Sequence, residues 1–196
     1  MISSGSSGST ASISPPSSAP WAEPPPGEIF RSREEIGARV RELGGRIGDE
    51  YAGRDLLLVV VLRGAFIFAS DLSRAIPLVH ALDVVALAGY GGPLGGRSAV
   101  RLLKDLDGPI EGRDVLVVEN VVDTGLTLNY LLKTLALRRP AGLAVCTLVD
   151  RPYRRLVDDL PIRYVGFDAP DTFFVGYGFG LAGRYRGLPD LRVVEP

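Results

Sequence analysis

The chain has 196 residues, 46% of them hydrophobic and 23% charged, which is enough apolar material for the core of one ordinary domain. A formal net charge of −1 argues against nucleic acid or an anionic membrane surface as the main partner, and the single cysteine, Cys146, excludes an intrachain disulfide framework. No stretch has the apolar length needed to span a bilayer and no internal repeat is present, so the composition fits a cytoplasmic protein.

Residues 1–27 are dominated by Ser, Gly and Pro, and such a segment cannot bury enough apolar surface to offset its ordering entropy; it is predicted to be a disordered leader. It lacks the basic start and continuous apolar core of a secretory signal. Residues 28–196 then read as one domain. Ser32 and Glu35 form a capping-box signature, and Ile36, Val40, Leu43, Ile47 and Tyr51 recur on one helical face. Leu56 to Leu62 is an apolar run of strand length. The turn Leu62-Arg63-Gly64-Ala65 follows, and Phe66 to Ile76 reads as a helix. His80, the only histidine, precedes an apolar run and reads as a structural or surface residue. Further buried strands are predicted at Val84–Leu87, Val115–Val118 and Leu143–Leu148, the last containing Cys146. Between them, Ala88 to Val100 carries five glycines around Tyr90, the signature of a flexible hairpin or of a lid over a reacting centre. The alternation of strands and helices predicts an α/β fold, an open and mostly parallel sheet flanked by helices, with ligands at the carboxyl ends of the strands.

The run Val115 to Val118 continues into Glu119-Asn120-Val121-Val122-Asp123-Thr124-Gly125-Leu126-Thr127, after which Leu128, Leu131, Leu132 and Leu135 recur at helical spacing. A glycine-containing turn that opens a helix at the end of a buried strand presents free N–H groups and the positive end of the helix dipole, which is a phosphate seat. Thr124 and Thr127 add hydroxyl donors, and Glu119 offers acceptors suited to sugar hydroxyls. Asp-Thr-Gly also occurs in aspartic proteases, but those need two carboxylates sharing a proton and no second copy is found. A plainer alternative is that Asp123 merely caps the helix.

The segment resembles the phosphoribosyl diphosphate (PRPP) binding motif of type I phosphoribosyltransferases, and within them is most similar to the bacterial hypoxanthine/guanine enzymes. Leu57–Leu72, Leu102–Asp107 and Val165–Leu188 keep that family's order and spacing, so the resemblance covers about residues 28–196. It implies the type I fold with a small acceptor-binding hood, and transfer of the 5-phosphoribosyl group from PRPP to a purine base with release of diphosphate. By that resemblance Asp123 is the general base and Glu119, Asn120, Asp123, Thr124, Gly125, Leu126 and Thr127 bind PRPP. Arg63, Gly64, Tyr90 and Arg186 meet the diphosphate, the 62–65 turn carrying a non-proline cis peptide. Arg151, Phe173 and Phe174 meet the acceptor, and magnesium (Mg2+) is held near Glu119 and Asn120. A homodimer or homotetramer is also implied.

Four positions depart from the pattern: Asn120 stands for an acid, Arg151 for a lysine, Gly180 for an aspartate and Gly89 for a serine. The Arg-for-Lys change is not conservative at a tight site, because a guanidinium is larger, planar and forked. Two further readings therefore stand beside hypoxanthine/guanine salvage. One is a PRPP-dependent transferase redirected to a modified purine or non-purine acceptor; the other is a PRPP-sensing or catalytically silent homologue.

Overall fold

The computed structural model describes residues 26–90 and 99–195. The expectation for the leader falls almost entirely outside those residues.

Strand β1 (Glu28–Arg31) leads into helix α1 (Arg33–Glu50), which begins where predicted. Ser32 Oγ accepts from Glu35 N at 3.2 Å and Glu35 Oε2 accepts from Ser32 N at 2.8 Å, closing the capping box. The chain continues through β2 (Leu56–Leu62), α2 (Phe66–Ala75), β3 (Ala81–Tyr90), β4 (Ala99–Lys104), β5 (Asp114–Val122), α3 (Leu126–Ala136) and β6 (Gly142–Asp150). A 3-10 turn (Pro152–Arg154), β7 (Ile162–Asp168), β8 (Phe173–Val175) and β9 (Leu191–Val194) complete it.

Six strands form the main sheet in the order β4-β3-β2-β5-β6-β7, all neighbours parallel except the β3–β4 pair. The continuous apolar runs follow from burial on both faces. Along β2, Leu56, Leu58 and Val60 face one core with α1 and α2, while Leu57, Val59 and Val61 face a second core with α3. Leu116 and Val118 of β5 join the first, Val115 and Val117 the second. Cys146 is fully buried in the first, as its apolar surroundings in sequence indicated. A small antiparallel sheet, β1-β9-β8, forms the hood above one end of the main sheet. The chain runs outward from β2 to β3 on one side and from β5 to β6 on the other, so the sheet's switch point lies between β2 and β5, where α/β sheets open a ligand crevice at the carboxyl ends of their strands.

His80 sits in a local structural role. Its Nδ1 lies 2.8 Å from the Leu78 carbonyl and must donate to it, so Nε2 accepts from Ser73 Oγ at 2.8 Å.

Candidate active site

The ends of β2 and β5 flank the switch point. β2 ends in a turn whose Leu62–Arg63 peptide is cis, with Arg63 exposed and Gly64 half-buried. β5 ends at Val122, and the chain enters α3 through Gly125, whose φ of 81° is a left-handed value that glycine adopts without a Cβ penalty. Gly125 is the N-cap and no side chain caps the helix, so Asp123 is not the helix cap that the plainer alternative allowed. A cleft of about 120 Å³ is lined by Glu119, Val121, Val122, Asp123, Thr124, Gly125, Thr127 and Leu128. Exposed Leu126 stands beside that lining, and its N–H lies 3.5 Å from Thr124 Oγ1. A roomier recess, about 530 Å³ between α1, α2 and the 187–189 turn, is lined by none of these groups. The cleft at the β5 end is the better candidate, because it joins a helix N-terminus, two hydroxyls and two carboxyls.

Glu119 retains some accessible surface, yet its carboxyl is enclosed by protein, and burial pushes it up to about 8 against the downward pull of Asn120 N donating to Oε1 at 3.0 Å. Asn120 turns toward the neighbouring strand end. A Cβ on Gly64 would lie 2.5 Å from both its carboxamide N and O, so the amide is packed flat against the 62–65 turn. The hood closes on the same turn: Gly178 has a φ of 97°, and a Cβ there would lie 2.1 Å from Gly64 O. Arg186 Nη1 donates to Gly178 O at 2.5 Å, and its side chain fills the space a side chain at Gly180 would need, with Cγ 2.9 Å from that Cβ position. Arg63, Gly64, Asn120, Gly178 and Arg186 thus belong to one contact zone. For Tyr90 only the backbone is described; it pairs with Ala99, as Gly89 pairs with Val100, so the ends of the expected lid are a hairpin, and 91–98 lie outside the described residues.

At the end of β6, Arg151 is 9% exposed. Its Nη2 donates to Thr172 O at 2.5 Å, its guanidinium carbon lies 5.2 Å from the Phe174 ring centre, Nη1 lies 4.0 Å from Asp123 Oδ2, and buried Nε has no partner. The two phenylalanines divide. Phe174 is buried against Phe30 and Phe179, whereas Phe173 keeps 42% of its surface exposed. Sequence reasoning missed Arg154 and Arg155. Arg154 places Nε 2.9 Å from Asp123 Oδ1. Arg155 pairs with Asp150, and a Cβ on Gly125 would lie 3.1 Å from its Cδ, so it backs the phosphate seat. The adjacent arginines after Pro152 were the available signal.

Among the described residues no three His, Cys, Asp or Glu side chains converge on a metal position. The donor set, one carboxyl beside one carboxamide, fits a magnesium ion that arrives with its phosphate ligands and keeps its waters, and does not fit a cage made by protein alone.

The fold and this crevice define an α/β protein with a phosphate seat at its sheet switch point. The phosphoribosyl transferase domain matches residues 28–181, and the chain belongs to that family. Within it, the chain is 48% identical to a hypoxanthine-guanine phosphoribosyltransferase from Mycobacterium avium over 89% of this chain and 90% of the relative. It is 44% identical to an Escherichia coli hypoxanthine phosphoribosyltransferase over 83% and 92%. A crystal structure of a hypoxanthine-guanine phosphoribosyltransferase from Bacillus anthracis, with HEPES in its active site, superimposes with a TM-score of 0.82 at 39% identity, covering 87% of this chain and all of that one.

Proposed function

We propose that residues 28–196 form a single catalytic domain that transfers the 5-phosphoribosyl group from PRPP to hypoxanthine or guanine and releases diphosphate. The observation that carries this reading is the meeting, at one sheet switch point, of the phosphate seat at Asp123–Thr127 with the 62–65 turn, whose Gly64 packs against Asn120. The relatives, all similar over most of the chain, support the same substrates.

Thr124, Gly125, Leu126 and Thr127 hold the 5-phosphate through backbone N–H groups, the α3 dipole and the Thr hydroxyls. The backbone of Arg63 and Gly64 and the guanidinium of Arg186 face the diphosphate, with Tyr90 on the hairpin beside them. Breaking the anomeric carbon–oxygen bond builds positive charge on the ribose and negative charge on the leaving group, and Asp123 takes the proton from the attacking ring nitrogen. Phe173 stacks on the base, Phe174 lends its backbone to the base edge, and Arg151 donates to the base's oxo group. Magnesium, when bound, screens the diphosphate charge. Glu119 would hold it through ribose hydroxyls or water, with Asn120 beside it. The same reading makes the protein a cytoplasmic homodimer or homotetramer; a Trypanosoma cruzi relative of 37% identity is described through the bearing of its C-terminal region on oligomeric state and enzymatic activity.

A second reading, transfer to a modified purine or non-purine acceptor, is favoured by one observation. Arg151 is engaged by Thr172 O and by the Phe174 face, which leaves fewer of its donors for a 6-oxo group. Incubating the protein with PRPP, magnesium and a panel of bases, and following diphosphate release, tests both. Turnover of hypoxanthine or guanine is the expected outcome, turnover of other acceptors alone selects the second reading, and PRPP binding without turnover overturns both.

A further inference from the structure

Asp123 is met at its buried Oδ1 edge by a residue with no part in the proposed reaction so far, Arg154. Arg154 ends the 3-10 turn Pro152–Arg154 with its guanidinium between two carboxylates, Nε 2.9 Å from Asp123 Oδ1 and Nη1 2.6 Å from Asp171 Oδ1. The second contact is an aligned hydrogen bond; the first is an ion pair without that alignment, leaving Oδ1 buried and without a hydrogen-bond donor. Asp171 stands two residues before the exposed Phe173. The turn is fastened to that hood loop at two more points: Arg151 Nη2 donates to Thr172 O at 2.5 Å and Tyr153 OH donates to Ala169 O at 3.0 Å. On its other side Leu156 N donates to Thr124 O at 2.9 Å, next to Asp123 itself.

We propose that Arg154 is a positioning residue for the transfer reaction: it pins Asp123 by its Oδ1 edge, leaves the Oδ2 edge to the acceptor, and through Asp171 makes the placement of that carboxylate depend on the hood loop that presents Phe173. This rests on the phosphoribosyl-transfer reading. Arg151 Nη1, at 4.0 Å from Oδ2, is too distant to fix the carboxylate, so Arg154 is the one cation in ion-pair contact with its Oδ1 edge among the described residues. An exposed ion pair contributes little to folding, so its value lies in geometry: a general base must stand within hydrogen-bond reach of the proton it takes.

Steady-state kinetics of R154Q, R154K and D171N, with PRPP and the purine that the wild type turns over, tests this. R154Q is expected to lower kcat about ten- to a hundred-fold, the scale of a misplaced reacting group, with KM for PRPP unchanged because the phosphate seat does not include Arg154. R154K is expected to recover part of kcat by restoring one charge contact, and D171N to lower kcat less than R154Q while raising KM for the base. The double variant R154Q/D171N should be no worse than R154Q, because the link is already broken. An R154Q enzyme with unchanged kcat, or one that loses only affinity for the base and is not rescued by lysine, makes Arg154 a surface ion pair and overturns the proposal. Thermal melts of the same variants separate misplacement from misfolding, and R154K gives the answer should R154Q fail to fold. A wild type without turnover of any base overturns the underlying reading and this proposal together, a result distinct from an active wild type indifferent to R154Q.

Discussion

Asp123 carries the proton-transfer step of the proposed reaction, and its surroundings state what its loss should do. Asp123→Asn keeps the size of the side chain but removes the base, so kcat should fall by about 10²- to 10⁴-fold. The phosphate seat, built mainly from backbone groups, should keep its affinity for PRPP within a few-fold by calorimetry. Glu119 gives a pH signature. Its folded-state carboxyl titrates near 8, raised by burial from its ordinary value of 4.5. Between those values the folded protein holds a proton that the unfolded chain has released, so this group makes stability fall as pH rises through that window. Melting temperature measured from pH 5 to 8.5 should therefore drop more steeply for the wild type than for E119Q, and parallel curves would show that Glu119 does not titrate there.

Elements differ in what they require of sequence. β2, β5 and β6 are buried on both faces and so announce themselves as unbroken apolar runs, and the capping box of α1 and the leucine spacing of α3 are local signals. Their predicted positions hold, although β3, β5 and β6 extend beyond the stretches Val84–Leu87, Val115–Val118 and Leu143–Leu148. β7 and the hood strands were not legible. β1, β8 and β9 have 4, 3 and 4 residues, too few to show a period, and Glu28 of β1 pairs with Val193 of β9 almost the whole chain away. The hood meets the main sheet through glycine. A methyl group at Gly178 would collide with Gly64 O and strain a φ of 97°. Gly178→Ala should cost about 1–3 kcal/mol in denaturant melts and raise KM for PRPP, because the hood would be pushed off the 62–65 turn. A variant with unaltered stability and KM would mean that this contact does not set the crevice.

The whole molecule divides its tasks between a stiff base and a ligand-completed crevice. Side chains buried on both faces of the sheet hold the strand ends in place, while no protein-only metal cage exists among the described residues. Chelation of magnesium should therefore abolish turnover yet leave the melting temperature and far-UV circular dichroism of the free protein unchanged, since the metal adds nothing to the fold before substrate arrives. A large drop in melting temperature on chelation would point instead to a structural ion. The fold class follows from the alternation of buried strands with amphipathic helices.

The chain alone determined the chemistry of the Glu119–Thr127 corner. An acid at a strand end, a glycine turn and a helix start are neighbours in sequence, and backbone geometry places them within a few ångströms whatever the rest of the protein does. Tertiary structure alone decided how those groups are aimed: Asn120 lies flat on Gly64, Arg186 fills the space beside Gly180, and Arg154 spans Asp123 and Asp171. The widest of these contacts, Asn120 on Gly64, joins segments separated by more than a quarter of the chain, and the rotamers that make them are set by tertiary packing, which no local pattern of residues encodes.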